Sequence, residues 1–106
     1  MLTFPITKKW LDLILSGEKK EEYRDLSAFY ISRLGKFKGE IIEVKLLNGY
    51  SSKSPYVIIK CKVTVGEGKT AWGAVTGKYY FVLKIIEIIE VNKGGLTNDS
   101  KNRNYI

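Results

Sequence analysis

From Tyr56 to Val65 apolar and polar side chains come close to strict alternation. Val57, Ile59, Cys61, Val63 and Val65 point one way, while Lys60, Lys62 and Thr64 point the other. A period of two marks a β-strand with one buried face, so this chain must build a sheet with a dry side and a wet side. Ile41–Leu47 repeats the pattern through Ile42, Val44 and Leu46. Tyr79–Val91 carries it through Tyr79, Phe81, Leu83 and Ile85, then loses phase at Glu87. That loss predicts a bulge or bend near Ile85–Glu87. Cys61 falls on the apolar face and reads as a small core residue, not a nucleophile.

The first third of the chain has a different period. Leu2–Ile6 reads as a short strand or extended lead-in, with Pro5 keeping Phe4 out of the helical region. Thr7 is a good N-cap, and Trp10, Leu11, Ile14 and Leu15 then recur at helical spacing before Gly17. The spacing predicts a helix over Lys8–Ser16 and a strand over Glu21–Arg24. A second helix follows over Ser27–Leu34, capped by Asp25 or Ser27, with Tyr30 and Leu34 packing one turn apart and Gly35 ending it. Asn48–Pro55 is a polar loop and Gly66–Ala74 a glycine-rich one; neither carries a phosphate-loop pattern. From Asn92 the chain turns polar and nearly free of core residues. This predicts one domain over residues 1–91 and a disordered tail over 92–106. Helices early and long strands late imply the α+β class, with the sheet curling into a small β-barrel.

Composition narrows the chemistry. A chain of 106 residues makes a single domain. One cysteine excludes an intrachain disulfide. The absence of histidine removes Ser-His and Cys-His dyads and the commonest metal ligand, and no metal or cofactor is implied. Proton transfer would fall to carboxylates, lysines, tyrosines or water. No apolar run is long enough to cross a bilayer, and Met1–Pro5 lacks the pattern of a secretion signal, so a cytoplasmic place without a membrane partner is expected. A net charge of +7 suits an anionic partner, of which nucleic acid is the usual one; solubility alone is the plainer account.

The segment least like a self-burying strand is Glu18–Arg24, where charges crowd just after the glycine stop. On a strand, Glu22 and Arg24 share one face and Glu21 and Tyr23 the other. Lys20 would join Glu22 and Arg24 if the strand began early, and Lys19 at the turn can swing to either face. Lysine, glutamate and arginine in one cleft suit a nucleotide. Arginine grips phosphate bidentately, glutamate accepts from an exocyclic amine such as cytosine N4, and a desolvated lysine can serve as base or nucleophile. A plain ion pair between Glu22 and Arg24 at a barrel mouth is the competing reading.

Gly17-x-Lys19-x-x-Glu22-x-Arg24 resembles the signature of the ASCH family (activating signal cointegrator homology domains), relatives of the PUA-like RNA-binding barrel. The apolar helix Trp10–Ser16, the aromatic, arginine-bearing stretch Arg24–Leu34, and Asn48-Gly49-Tyr50, Trp72-Gly73-Ala74 and Tyr79–Val82 extend the likeness over about residues 2–91. The resemblance implies a five- or six-stranded, mostly antiparallel β-barrel with two flanking helices. It also implies a cleft between the first helix, the signature strand and the barrel that receives RNA, a nucleotide or a modified nucleoside. Some members hydrolyse N4-acylated cytidine and some cleave RNA. By position, Lys19 matches the catalytic or cleft lysine, and Arg24 matches the signature arginine that clamps phosphate or orients the glutamate. Glu22 stands where an amidohydrolase branch places a threonine nucleophile, with glutamate the commoner family residue.

Trp10, Trp72, Tyr50 and Tyr79 are candidates for base stacking, with Trp10 placed by its helix spacing in the core instead. Asn48 could read a base edge, although Asn-Gly is itself a turn signal. Lys8 and Lys9 face phosphate or solvent. The leading expectation is an RNA- or nucleotide-binding module using Lys19, Glu22, Arg24, Asn48, Tyr50 and Trp72. The alternative is a small amidohydrolase or ribonuclease in which Lys19 is base or nucleophile and Glu22 orients water. A regulatory partner protein with no catalytic role is a third.

Overall fold

A computed structural model describes residues 1–94. Its elements are β1 (Leu2–Pro5), α1 (Lys8–Leu15), β2 (Glu21–Asp25), α2 (Ala28–Leu34), β3 (Ile41–Leu47), β4 (Tyr56–Glu67) and β5 (Tyr79–Asn92). Short 3-10 turns cover Gly35–Phe37 and Thr70–Trp72. The five strands form one mixed sheet in the order β1-β3-β4-β5-β2. Only β1 and β3 run parallel; the other three pairs are antiparallel.

The strands lie where the alternation puts them. Val44 and Leu46 of β3 and Val57, Ile59, Cys61 and Val63 of β4 are fully buried on the dry face, with Phe81 and Leu83 of β5 beside them. Leu11 and Ile14 of α1 and Leu34 of α2 close that core from above. A smaller cluster lies on the opposite face, where Tyr80 and Val82 pack with Ala74 and the half-buried Tyr23. Successive β5 residues therefore feed two different cores, as a period of two requires.

Several expectations need correction. The sheet is open. β1 and β2 are its two edges and do not pair with each other, so no closed barrel forms among the described residues. β5 carries the bulge expected near Ile85–Glu87 and a second one beyond it. Ile58 and Ile59 pair with Glu90 and Ile88, and Lys60 and Cys61 with Glu87 and Ile85, leaving Ile89 and Ile86 as the extra residues. Tyr79 starts β5 exposed, because its partner Glu67 lies past the core. Gly35 does end α2 as its C-cap, but in helical angles, and it opens a 3-10 turn. Thr7 holds the extended N-cap conformation without a side-chain cap bond, whereas Ser27 accepts from the Tyr30 amide. The boundary at residue 91 falls inside β5, since Asn92 still pairs with Tyr56. The tail expected over 92–106 lies, from residue 95 on, outside the described residues.

Candidate functional site: two cations on one carboxylate

The site grows out of the way α1 ends. Gly17 takes φ +83°, a left-handed turn that glycine adopts at little cost. The Gly17 amide then donates to Ile14 O at 3.0 Å and the Lys19 amide to Leu13 O at 3.0 Å. These bonds satisfy carbonyls that the helix end leaves open and fold the chain back under α1. Ile85 donates to Lys20 O, and β2 begins.

The register along β2 decides what is buried. Glu22 lies opposite Leu83 and Arg24 opposite Phe81, so both occupy dry-face positions. Tyr23, opposite Val82, points to the other face, where its hydroxyl donates to Glu21 Oε1 at 2.7 Å. Lys19 swings to the dry side. Its Nζ stands 3.1 Å from Glu22 Oε1 and also donates to Glu21 O. Arg24 donates through one terminal nitrogen to Glu22 Oε2 and through the other to the Tyr30 hydroxyl at 3.1 Å. Lys20 stays outside, exposed and bound to Gly17 O, because β2 starts one residue too late to carry it inward.

The three side chains converge, as their spacing suggested, but they are drier than side chains lining an open cleft would be. Side-chain exposure is 1% for Lys19, 6% for Glu22 and 9% for Arg24. Aromatic rings complete the enclosure. Lys19 Nζ lies 4.9 Å from the Tyr23 ring centre and 5.4 Å from that of Trp10. The Arg24 guanidinium lies 5.7 Å from the Phe4 ring and 5.8 Å from that of Tyr30. Burial works on Lys19 most strongly and holds its pKa below the ordinary 10.5, although Glu22 pulls the other way. The Arg24 pKa goes up: burial opposes this, and the Glu22 charge with bonds to Tyr30 and Glu22 overrides it. The cluster holds two cations and one anion, and Arg24 Nε is buried without a hydrogen-bond partner among the described residues.

A cleft of about 280 Å³ opens beside this cluster, lined among others by Ile6, Trp10, Glu22, Arg24 and Tyr30. It occupies the space between the sheet's two edges, where a closed barrel would have placed a ladder. Lys19 does not line it. Trp10 and Tyr30 do, and reading the sequence placed the first in the core and gave the second only a helix-packing role. The signal for Tyr30 was available: it lies six residues past Arg24, on the helix that follows the strand.

The other candidates are not in the cleft wall. Asn48 ties the end of β1 to the end of β3 by donating from Nδ2 to Ile6 O at 2.8 Å, which is a structural use of its amide. Tyr50 is 100% exposed at the tip of its loop. Trp72 is half-buried in its 3-10 turn, under the Lys69 ammonium at 4.7 Å. Its turn leans on the site from outside. Gly73, at φ +102°, sits so close to Trp10 that a Cβ there would lie 3.0 Å from the indole. Tyr23 fastens the same loop by accepting from the Lys69 amide at 2.8 Å. Cys61 is fully buried in the core, and burial pushes its thiol up to about 12. No cluster of three or more metal-ligating Cys, Asp or Glu side chains exists among the described residues. No helix there is long and apolar enough to cross a membrane. No family model, curated protein or solved structure matches the chain.

Proposed function

We propose that the protein is an RNA- or nucleotide-binding module of the ASCH type, and that its open sheet is a variant of the PUA-like architecture. The observation that carries this reading is the charge count in the dry cluster beside the cleft. Lys19 and Arg24 share one carboxylate, so the dry cluster is left with surplus positive charge. A buried, incompletely matched charge is costly, and an anion entering beside Arg24 would relieve it. The rest of the wall suits the remainder of a nucleotide. Trp10 offers an indole for stacking, and Glu22 offers an acceptor for an exocyclic amine.

The test is binding of a fluorescein-labelled single-stranded RNA decamer, followed by anisotropy across a salt series. Affinity should fall steeply as salt rises. Arg24→Gln leaves the Lys19–Glu22 pair neutral and should weaken binding at least tenfold, with circular dichroism reporting an intact fold. A flat salt response together with an unchanged affinity for Arg24→Gln would remove the reading.

Hydrolysis of an N4-acylated cytidine or of an RNA phosphodiester is the second reading. It is favoured by one observation, the burial of the Lys19 amine, which holds its pKa below the ordinary value. The binding reading takes precedence because the Lys19 amine is already engaged by Glu21 O and Glu22, away from the cleft wall. Incubation with N4-acetylcytidine and with the RNA decamer, analysed for released cytidine and for cut strands, decides it. No product from either substrate ends the enzyme reading.

A further inference from the structure

The cleft does not end at Thr7. A second groove of about 500 Å³ continues from it, and the two share Pro5, Ile6 and Thr7 as a common wall. The floor of this groove is the carboxyl end of the parallel β1–β3 pair, closed by the Ile6 amide donating to Leu47 O. Its far end is Tyr50.

Tyr50 is held out by a built turn. Gly49, at φ +123°, approaches Ser54 so closely that a Cβ would lie 2.5 Å from the Ser54 hydroxyl. Ser54 is itself buried, and its hydroxyl accepts from the Ser51 amide at 3.0 Å. The Lys53 amide is bound to the Ser51 hydroxyl at 3.1 Å. These bonds fix the backbone on both sides of a phenol ring that is wholly exposed. An aromatic ring presented this way is a stacking platform without a partner. The charges nearby do not repel an anion. Lys8, in the groove wall, is paired with Asp12; Asp25, at the cleft, is paired with Lys78; Lys9 stands 4.5 Å over Trp10 with no carboxylate partner among the described residues.

We propose that the ligand is a single strand at least two nucleotides long, with one base in the Trp10–Arg24 cleft and the next stacked on Tyr50 in the adjoining groove. This rests on the nucleotide-binding reading above and adds a second base subsite, so the ligand class becomes an oligonucleotide and not a free nucleotide. Pro5–Thr7 is the ridge over which the strand passes between the two subsites.

The experiment compares cytidine 5′-monophosphate with the trinucleotide CpCpC by isothermal titration, for the wild type and for Tyr50→Ala. Tyr50 is wholly exposed among the described residues, so the variant keeps its fold. CpCpC should bind at least tenfold tighter than the mononucleotide. Tyr50→Ala should lose about tenfold for CpCpC and less than twofold for the mononucleotide. Equal affinity of the wild type for both ligands, or an equal loss on both in Tyr50→Ala, overturns the second subsite and leaves the cleft reading standing. Failure of both ligands to bind overturns both.

Discussion

The ammonium of Lys19 lies 3.1 Å from Glu22 although both side chains are more than nine-tenths buried. They come from a turn and a strand only three residues apart in sequence, and Arg24 takes the other carboxylate oxygen. One carboxylate thus holds two cations at the edge of a hydrophobic core.

Glu22 is consequently the residue on which the cluster depends. Glu22→Gln keeps the shape and deletes the charge, stranding Lys19 and Arg24 in a dry site. Removing one partner of a buried pair costs roughly 3–5 kcal/mol. Urea denaturation should report a loss of that size. A shift below about 1 kcal/mol would mean that water, not the carboxylate, solvates the two cations.

Lys19 sets a pH dependence of defined sign. Its folded pKa is lowered by burial below 10.5. Between that lowered value and 10.5 the unfolded chain binds the extra proton, so stability rises with pH across the window. The contribution is fully present above 10.5 and lost as pH falls through the folded value. Lys19→Met removes it and leaves the Glu22–Arg24 pair. The wild type should therefore gain stability relative to Lys19→Met as pH rises toward 10.5. Parallel profiles for the two proteins would contradict the assignment.

Cys61 acts with the opposite sign. The folded thiol stays protonated to about 12 while the unfolded one ionises near 9.0. Its contribution is complete below 9.0 and is lost as pH rises toward 12. The span converts to about 4 kcal/mol at most. The advantage of the wild type over Cys61→Ala should shrink above pH 9. At pH 8 a thiol reagent should label Cys61 only when the protein unfolds, and fast labelling of the native protein would place the thiol outside the core.

Tyr23 joins β2 to the loop that leans on Trp10. Its hydroxyl accepts from the Lys69 amide and donates to Glu21, and its pKa is pushed up to about 12, first by burial. Tyr23→Phe should cost about 1–2 kcal/mol. Hydrogen exchange at the Lys69 amide should quicken in the variant. Unchanged protection there would show that the loop is held by its packing alone.

The sequence was most readable where a single period ruled. The limits of β3 follow from alternation alone, and those of α1 and β4 are recovered to within one or two residues. The face shared by Glu22 and Arg24 was legible for the same reason. The destination of Lys19 was not, because a residue in a turn has no phase; the bonds from the Gly17 and Lys19 amides decide it. Trp10 was ambiguous because helix spacing alone does not separate a core ring from one that also walls a cleft. Tyr30 showed the spacing of a packing residue, and only the approach of α2 to β2 turned its hydroxyl into a ligand for Arg24.

The chain's periodicities by themselves determined which residues are strand, which are helix and which side of each is dry, since those properties depend on neighbours two to four positions away. Whether the sheet closes was decided only in three dimensions. Closure depends on where β1 and β2, joined through α1, come to rest at opposite ends of one sheet. Because those edges stay apart, the gap between them is a cleft walled by Trp10, Tyr30 and a shared carboxylate instead of a hydrogen-bonded ladder.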